Sequence, residues 1–195
     1  MPRPVAYDRD TVIRLALDTF WTEGFRNSDV DRLTRAAGVN RHSLYKAFGG
    51  KWGLYTAALR HYMENIAGEF LAVLERGPGL DAILKYFRKV SDTFSSSSAE
   101  TGDRRGCFIT NTAIEFGQSN DEISRLLQDY QDNAERAFFR ALQRGQVDGS
   151  VRSDIDAKAV SRVLVLTGQG VSVAARSGRA TRDLVRPITT MLARP

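Results

Sequence analysis

Apolar residues recur at three- and four-residue spacing along nearly all of the 195-residue chain, the rhythm of helices that bury one face. Val12, Leu15, Ala16, Thr19 and Phe20 mark a first helix from Asp8 to Glu23. Gly24 is its expected C-cap, because glycine enters left-handed backbone without a Cβ penalty. Ser28 with Asp31 three residues on resembles a capping box in which aspartate replaces Glu or Gln. It predicts a short helix with Val30, Leu33, Ala36 and Ala37 on its apolar side, ended by Gly38. Asn40 is the next N-cap candidate. It opens a second short helix, Arg41 to Ala47, broken by Phe48, Gly49 and Gly50.

A long helix is expected from Lys51 to about Arg76, stopped by Gly77-Pro78-Gly79. Another runs from Leu80 to about Phe94, and the small polar residues Ser95 to Asp103 read as a loop. Cys107 to Phe116 is helical, and Asn120 is the cap expected after the turn that begins at Gly117. Asp121 to about Arg144 carries a strong stripe: Ile123, Leu126, Leu127, Tyr130, Ala134, Ala137, Phe138, Ala141 and Leu142. Gly145 to Asp154 is a second turn region, followed by helices from Asp156 to Ser177 and from Thr181 to Ala193. No alternating β-branched run is long enough for a strand, and no internal repeat is present. The fold class is all-α, with about nine helices.

Two short helices joined by a tight turn at Gly38, behind a longer helix, form a helix-turn-helix pattern. Val30, Leu33 and Ala37 face the first helix. Ala36 and Gly38 are small enough for close approach, Val39 plugs the turn, and Leu44 and Phe48 anchor the second short helix. That leaves Arg41, His42, Ser43, Tyr45 and Lys46 outside, a set suited to base edges and phosphates. Asn40 and the first amides of that helix can also meet phosphate.

Charge supports this placement. The net charge is +5 and the pI about 9.6. Residues 1–60 hold ten basic and six acidic side chains, a net +4, while the other 135 hold 18 and 17. A basic head on a near-neutral body is the footprint of a polyanion-binding segment, although a solvated surface has the same count. The hydrophobic content of 42% and charged content of 26% are those of an ordinary globular chain.

Other chemistries find little support. The two histidines, His42 and His61, make no cluster with metal-ligand spacing. There is no glycine-rich phosphate loop, so no catalytic residue, metal or cofactor is expected. The single cysteine, Cys107, excludes an intramolecular disulfide and fits a reducing cytoplasm. It reads as a small core residue, with thiol sensing as the alternative. The first ten residues lack the apolar core of a signal peptide. The longest apolar stretch, Val163 to Ala175, is interrupted at Thr167 to Gly170 and is too short to cross a bilayer. A cytoplasmic protein without membrane attachment is expected.

The segment VIRLALDTFWTEGFRNSDVDRLTRAAGVNRHSLYKAFGGKWGLYTAAL resembles the DNA-binding region of the TetR/AcrR family. The matching features are Phe20, Gly24-Phe25, Ser28, Val30, Leu33, Ala36-Ala37-Gly38-Val39, Ser43-Leu44-Tyr45, Phe48, Lys51 and Leu54. GCFITNTAIEF, the segment RALQRGQVDGSVRSDID and the late Gly168-Gln169-Gly170 are more weakly similar to the family's C-terminal regulatory domains. The resemblance implies a helix-turn-helix DNA-binding domain over 1–50 and a helical ligand-binding and dimerisation domain over 51–195. It implies that the helix from Arg41 is the recognition helix and that Tyr45 and Lys51 contact phosphate. It also implies that Ser28 caps the second helix and approaches phosphate. Asp29, Thr34, Asn40, His42, Ala47 and Trp52 depart from the family's common residues, which bears on operator sequence more than on class.

The implied partners are a double-stranded DNA operator, a second copy of the chain, and a small-molecule effector of unknown identity. The implied function is a repressor released from a palindromic operator. The alternatives are a regulator without an effector or an activator, and, further off, a helical enzyme or interaction module. For the homodimer, Val160, Val163, Leu164, Thr167, Val171 and Ala174 on one late helix and Leu184, Val185, Ile188 and Leu192 on the next are the interface candidates. Gly168 and Gly170 would permit close helix approach, and intramolecular core is the competing use of the same stripes. For the effector, Phe87, Phe108, Phe116 and Tyr130 are candidate pocket residues.

Overall fold

A computed structural model describes residues 8–99, 105–179 and 181–194, with the backbone alone at 95–99 and 182. The chain divides into two packing units between Ile66 and Ala67, later than the 50/51 boundary expected from the sequence.

The first unit begins with α1 (Arg9–Asn27), started by Asp8, whose carboxylate accepts the backbone N–H groups of Asp10 and Thr11. Gly24 (φ 74°) kinks this helix rather than ending it, and a last turn continues to Asn27. The helix α2 (Val30–Ala36) is capped by Asp29, whose carboxylate accepts from Asp31 N. Ser28 is not the cap: its hydroxyl is turned back to donate to Phe25 O at 2.9 Å. Aspartate displaces serine because its two carboxylate oxygens reach the first-turn amides one residue closer to the helix. The helix α3 (Arg41–Phe48) is capped by Asn40 as expected, Oδ1 accepting from Ser43 N at 2.8 Å. Gly49 closes it in the left-handed region.

The helix α4 (Lys51–Tyr62) packs along α1. Leu33, Leu44, Leu54, Ala58 and Leu59 are almost wholly buried between the four helices. The Phe20 and Tyr55 rings meet edge to face at 5.0 Å. Each fully buried leucine of this kind contributes about 1.5–3 kcal/mol. The buried face of α2 is Val30, Leu33 and Thr34, and Ala36 lies exposed instead of facing inward. The α3–α4 corner is tight: a Cβ on Gly53 would sit 1.6 Å from Phe48 O.

The helix expected from Lys51 to Arg76 changes character on the way. After Tyr62 comes a π-helical turn, Met63–Ala67, then α5 (Gly68–Leu71) and a 3-10 turn, Ala72–Glu75.

The second unit continues with α6 (Gly79–Ala99), α7 (Phe108–Phe116), α8 (Asp121–Asp148), α9 (Ala157–Arg176), a 3-10 turn (Arg182–Leu184) and α10 (Val185–Leu192). Residues 95–99, expected in a loop, extend α6; serine lowers helix propensity only slightly, and no Gly or Pro interrupts the run. The rest of that loop, 100–103, lies outside the described residues. The helix α8 runs four residues past Arg144, because Gly145 serves close packing and not a turn: a Cβ there would lie 2.4 Å from Val151 Cγ2. Gly79, at the start of α6, packs against the backbone of Ala141 and Gly145. The first turn of α6 takes its acceptors from the end of α8, Gly79 N donating to Asp148 Oδ2 and Leu80 N to Ser150 Oγ. Phe87, Phe108, Phe138, Leu142 and Leu164 form the centre of the core. Among the described residues there is no strand, only an isolated bridge between Val151 and Ala193. No described helix is long and apolar enough to cross a membrane.

Candidate nucleic-acid interface

Helix α3 presents one buried and one open face. Leu44 and Phe48 point inward, at 0% and 8% exposure. Arg41, His42 and Lys46 are exposed, and Ser43 and Tyr45 half-buried. This is the outward set read from the sequence, because residues spaced by three or four share a face and Leu44 and Phe48 fix which face is inside.

Arg41 stands at the first position of α3. Its Nη1 lies 3.2 Å from both carboxylate oxygens of Asp31 on α2, and its Nη2 donates to Tyr45 Oη at 3.3 Å. The guanidinium carbon is 5.2 Å from the centre of the Tyr45 ring. The Tyr45 hydroxyl, and then the Asp31 carboxylate, hold the Arg41 pKa above its ordinary value. Asp31, read from the sequence as half of a capping box, is therefore the partner of the first arginine of α3. The neighbouring α2 arginines are also paired, Arg32 with Glu23 at 2.7 Å and Arg35 with Asp29 at 3.8 Å. The backbone N–H groups of Arg32 and Asp31 hold the Asp29 carboxyl below its usual range.

Lys51, at the start of α4, is half-buried. Its Nζ donates to Ser28 O at 3.0 Å and lies 4.8 Å over the Phe25 ring. Ser28 itself is buried at 7% exposure, so its role here is to hold the lysine through its carbonyl. Trp52 covers the other side of this corner, its ring 4.2 Å from that of Phe25. Arg9, which the sequence did not single out, stacks over Phe48 at 4.8 Å; no local signal marks that contact.

In the second unit the expected dimer stripe splits. Leu164, Val171 and Ile188 are buried within their own chain, at 0%, 2% and 4% exposure, as is Leu192. Val160, Thr167, Ala174, Leu184 and Val185 are half-buried, and Val163 is half exposed. The open stripe of α9 is instead Ala159, Val163, Leu166, Gly170 and Val173. The helix is apolar on two faces, and the sequence alone does not say which one the chain keeps. Gly168 serves the internal face, where a Cβ would lie 3.1 Å from Tyr86 Oη. Gly170 has open space around it.

Of the candidate pocket residues, Phe87, Phe108 and Phe116 are buried in the core and Tyr130 is half-buried. Phe87 and Tyr86 both pack on Phe138, with ring centroids 5.9 and 4.9 Å away. Burial first, and the Cys107 thiol second, push the Tyr86 phenol pKa up. Tyr130 is likewise raised by burial, Tyr86 and Cys107. Tyr86 was missed because it lies on the α6 stripe with Ile83 and Phe87 and reads as plain core. Cys107 is half-buried at the N-terminus of α7. No group of three or more His, Cys, Asp or Glu able to hold a metal is found among the described residues.

Comparison with known proteins agrees with this geometry. Residues 12–58 match the family "Bacterial regulatory proteins, tetR family", and residues 84–191 match "Tetracyclin repressor-like, C-terminal domain". The chain is 27% identical over 192 residues to the HTH-type transcriptional repressor ComR of Escherichia coli K12, covering 97% of this chain and 90% of that protein. It is 27% identical over 165 residues to the uncharacterized HTH-type transcriptional regulator YezE of Bacillus subtilis 168, covering 84% of each. A cysteine-substituted form of the TetR family regulator CifR, solved with 26 bp double-strand operator DNA, superposes with a TM-score of 0.81 at 26% identity. That match covers 96% of this chain and 98% of that one. With its helix-turn-helix, its all-helical second unit and both family matches, the chain belongs to the TetR family of bacterial DNA-binding transcriptional regulators.

Proposed function

We propose that this protein is a repressor that binds a palindromic operator as a homodimer and leaves it when a small molecule occupies the C-terminal domain. The observation that carries the reading is the outer face of α3, where Arg41, His42 and Lys46 stand exposed on a helix anchored by Leu44 and Phe48. Asn40, Ser43 and Tyr45 complete the DNA-facing set. Lys51 reaches phosphate once DNA competes with the Ser28 carbonyl, and Ser28 acts only through that lysine. Residues 1–50 supply the DNA-binding part and 51–195 the ligand-binding and dimerisation part. The ComR and CifR relatives, a named repressor and a regulator solved on operator DNA, support repression and operator binding.

Two copies are needed because a palindromic site presents two half-sites one helical turn apart. The open α9 stripe, with Leu166 at 63% and Val163 at 50% exposure, and Met191 on α10 at 42%, is the surface we assign to the partner copy. Side chains of this size do not stay in water without cost. The effector must bind the DNA-free arrangement more tightly than the DNA-bound one, or it shifts nothing. The cluster around Tyr86, Phe87, Phe108, Tyr130 and Phe138 is its proposed site, and no catalytic step is assigned to it. A regulator works beside the chromosome, so the cytoplasm is the proposed location.

Burial of Phe87, Phe108 and Phe138 favours a second reading, a regulator with no small-molecule effector. Selection from random duplex DNA, with an Arg41→Ala, Lys46→Ala double mutant alongside, tests the central claim. A palindromic consensus enriched by the wild type alone is expected. A folded dimer that enriches nothing overturns it. Ligands that bind the C-terminal domain and leave operator affinity unchanged select the effector-free reading.

A further inference from the structure

Arg41 is the only side chain on the open face of α3 that the described residues fix from two sides. Asp31 holds Nη1 from α2, and Tyr45 holds Nη2 from the next turn of α3. Both Arg41 and Asp31 remain about half exposed, at 56% and 50%, and an ion pair this open adds little to stability. Its consequence lies in orientation. A free arginine at a helix start swings to the nearest phosphate, where a point charge suffices. An arginine already neutralised by a carboxylate gains less from phosphate. Its planar fork stays aimed, and its remaining N–H groups stay available for a flat acceptor pair. In the major groove the acceptor pair that fits an arginine fork is O6 and N7 of guanine. The carboxylate also makes the wrong placement unfavourable, because an arginine that left it for a phosphate would leave an unpaired negative charge behind.

We propose that Arg41 reads one guanine in each operator half-site, and that Asp31 is a positioning residue that lowers affinity for DNA in general while sharpening the preference for that base. This rests on the reading of α3 as the recognition helix. It goes further by dividing the face into a base reader, Arg41, and a phosphate contact, Lys46.

The test measures binding to the selected operator and to a panel in which each base pair of the half-site is changed in turn, at several salt concentrations. The proteins are the wild type and the variants Arg41→Lys, Arg41→Ala, Asp31→Asn and Lys46→Ala. Replacing the guanine read by Arg41 should weaken the wild type about 5- to 140-fold per half-site, the range for a bidentate base contact. Arg41→Lys should keep the charge and lose most of that ratio at one position only. Asp31→Asn should bind non-cognate DNA more tightly and show a smaller ratio at the same position. Lys46→Ala should weaken all sequences alike and flatten the dependence of log K on log salt. Retained helicity and thermal midpoint show that the variants fold. Two results overturn the proposal and leave the operator reading intact: an Arg41→Lys loss spread evenly over the panel, or an Asp31→Asn profile identical to wild type. A wild type with no base preference anywhere in the panel overturns the operator reading, and this proposal with it.

Discussion

The corner between α3 and α4 offers a stringent perturbation, Gly53→Ala. An alanine Cβ would lie 1.6 Å from the Phe48 carbonyl oxygen and 2.8 Å from its carbon. Non-bonded carbon and oxygen approach to about 3.3 Å, so the two helices must separate by roughly 1.7 Å along that line. Nothing nearby yields easily. The clashing atom is backbone, and the link between the helices is already committed to positive φ at Gly49 (76°) and Gly50 (95°). Overpacking of this kind costs up to about 3 kcal/mol, and alanine returns about 1 kcal/mol of helix propensity. The net loss is about 2 kcal/mol, which for a chain of this size lowers the melting midpoint by roughly 4–8 °C. Because Phe48 ends α3, the helix we assign to base reading, operator affinity should fall even well below that midpoint. Thermal unfolding by circular dichroism and operator titration at 20 °C measure the two effects. A midpoint equal to or above wild type with unchanged affinity would refute the reasoning, since propensity alone predicts stabilisation.

Three further outcomes follow from local geometry. Asn40→Ala removes the acceptor of Ser43 N and should cost about 1 kcal/mol in urea unfolding, with Asn40→Asp largely restoring it; equal losses for both would mean the cap is not the cause. Gly168→Ala should destabilise through the 3.1 Å contact with Tyr86 Oη, and Tyr86→Phe in the same chain should recover most of that loss, because the next ring atom is 3.6 Å away; strictly additive losses would contradict this. The Asp148 carboxyl is held below its ordinary 3.8, first by the Ser150 hydroxyl and then by the Gly79 and Ser150 amides. The unfolded chain therefore takes up the proton first as pH falls, so the stabilisation present above the ordinary value is lost on going down toward the lowered one. Urea midpoints of wild type and Asp148→Asn should differ near neutral pH and converge in acid, whereas parallel curves would remove Asp148 from the account.

Much of this was legible in the chain because it is local. Asn40 capping α3, Asn120 capping α8 and the outward set on α3 need only a few residues and a helical period, and all stand where expected. What failed required knowing a distant neighbour. Asp29 and Asp31 are both plausible partners for the first turn of α2, and only the position of Arg41, ten residues on, assigns Asp31 elsewhere. Gly145 looks like a breaker, yet it stays helical because the Val151 side chain packs where its Cβ would be. The α9 stripe read from the sequence mixes two faces, with Leu164 and Val171 buried within the chain while Val163 and Leu166 are exposed; a helix apolar on two sides carries no mark of which is internal.

The acceptors for the first turn of α6 come from Asp148 and Ser150, 69 and 70 residues later in the chain. On a ribosome, the helices α1 to α4, which pack on one another, are all made before α6 begins. The C-terminal half has no such independence. The leading end of α6 must wait, at roughly 5–20 residues per second, on the order of 4–14 s for its counterpart to be made. During that interval Ile83, Phe87 and Val90 have no completed core to enter. Translation speed between residues 80 and 150 and chaperone supply should therefore govern the yield of this regulator more than the same changes imposed on its first 66 codons.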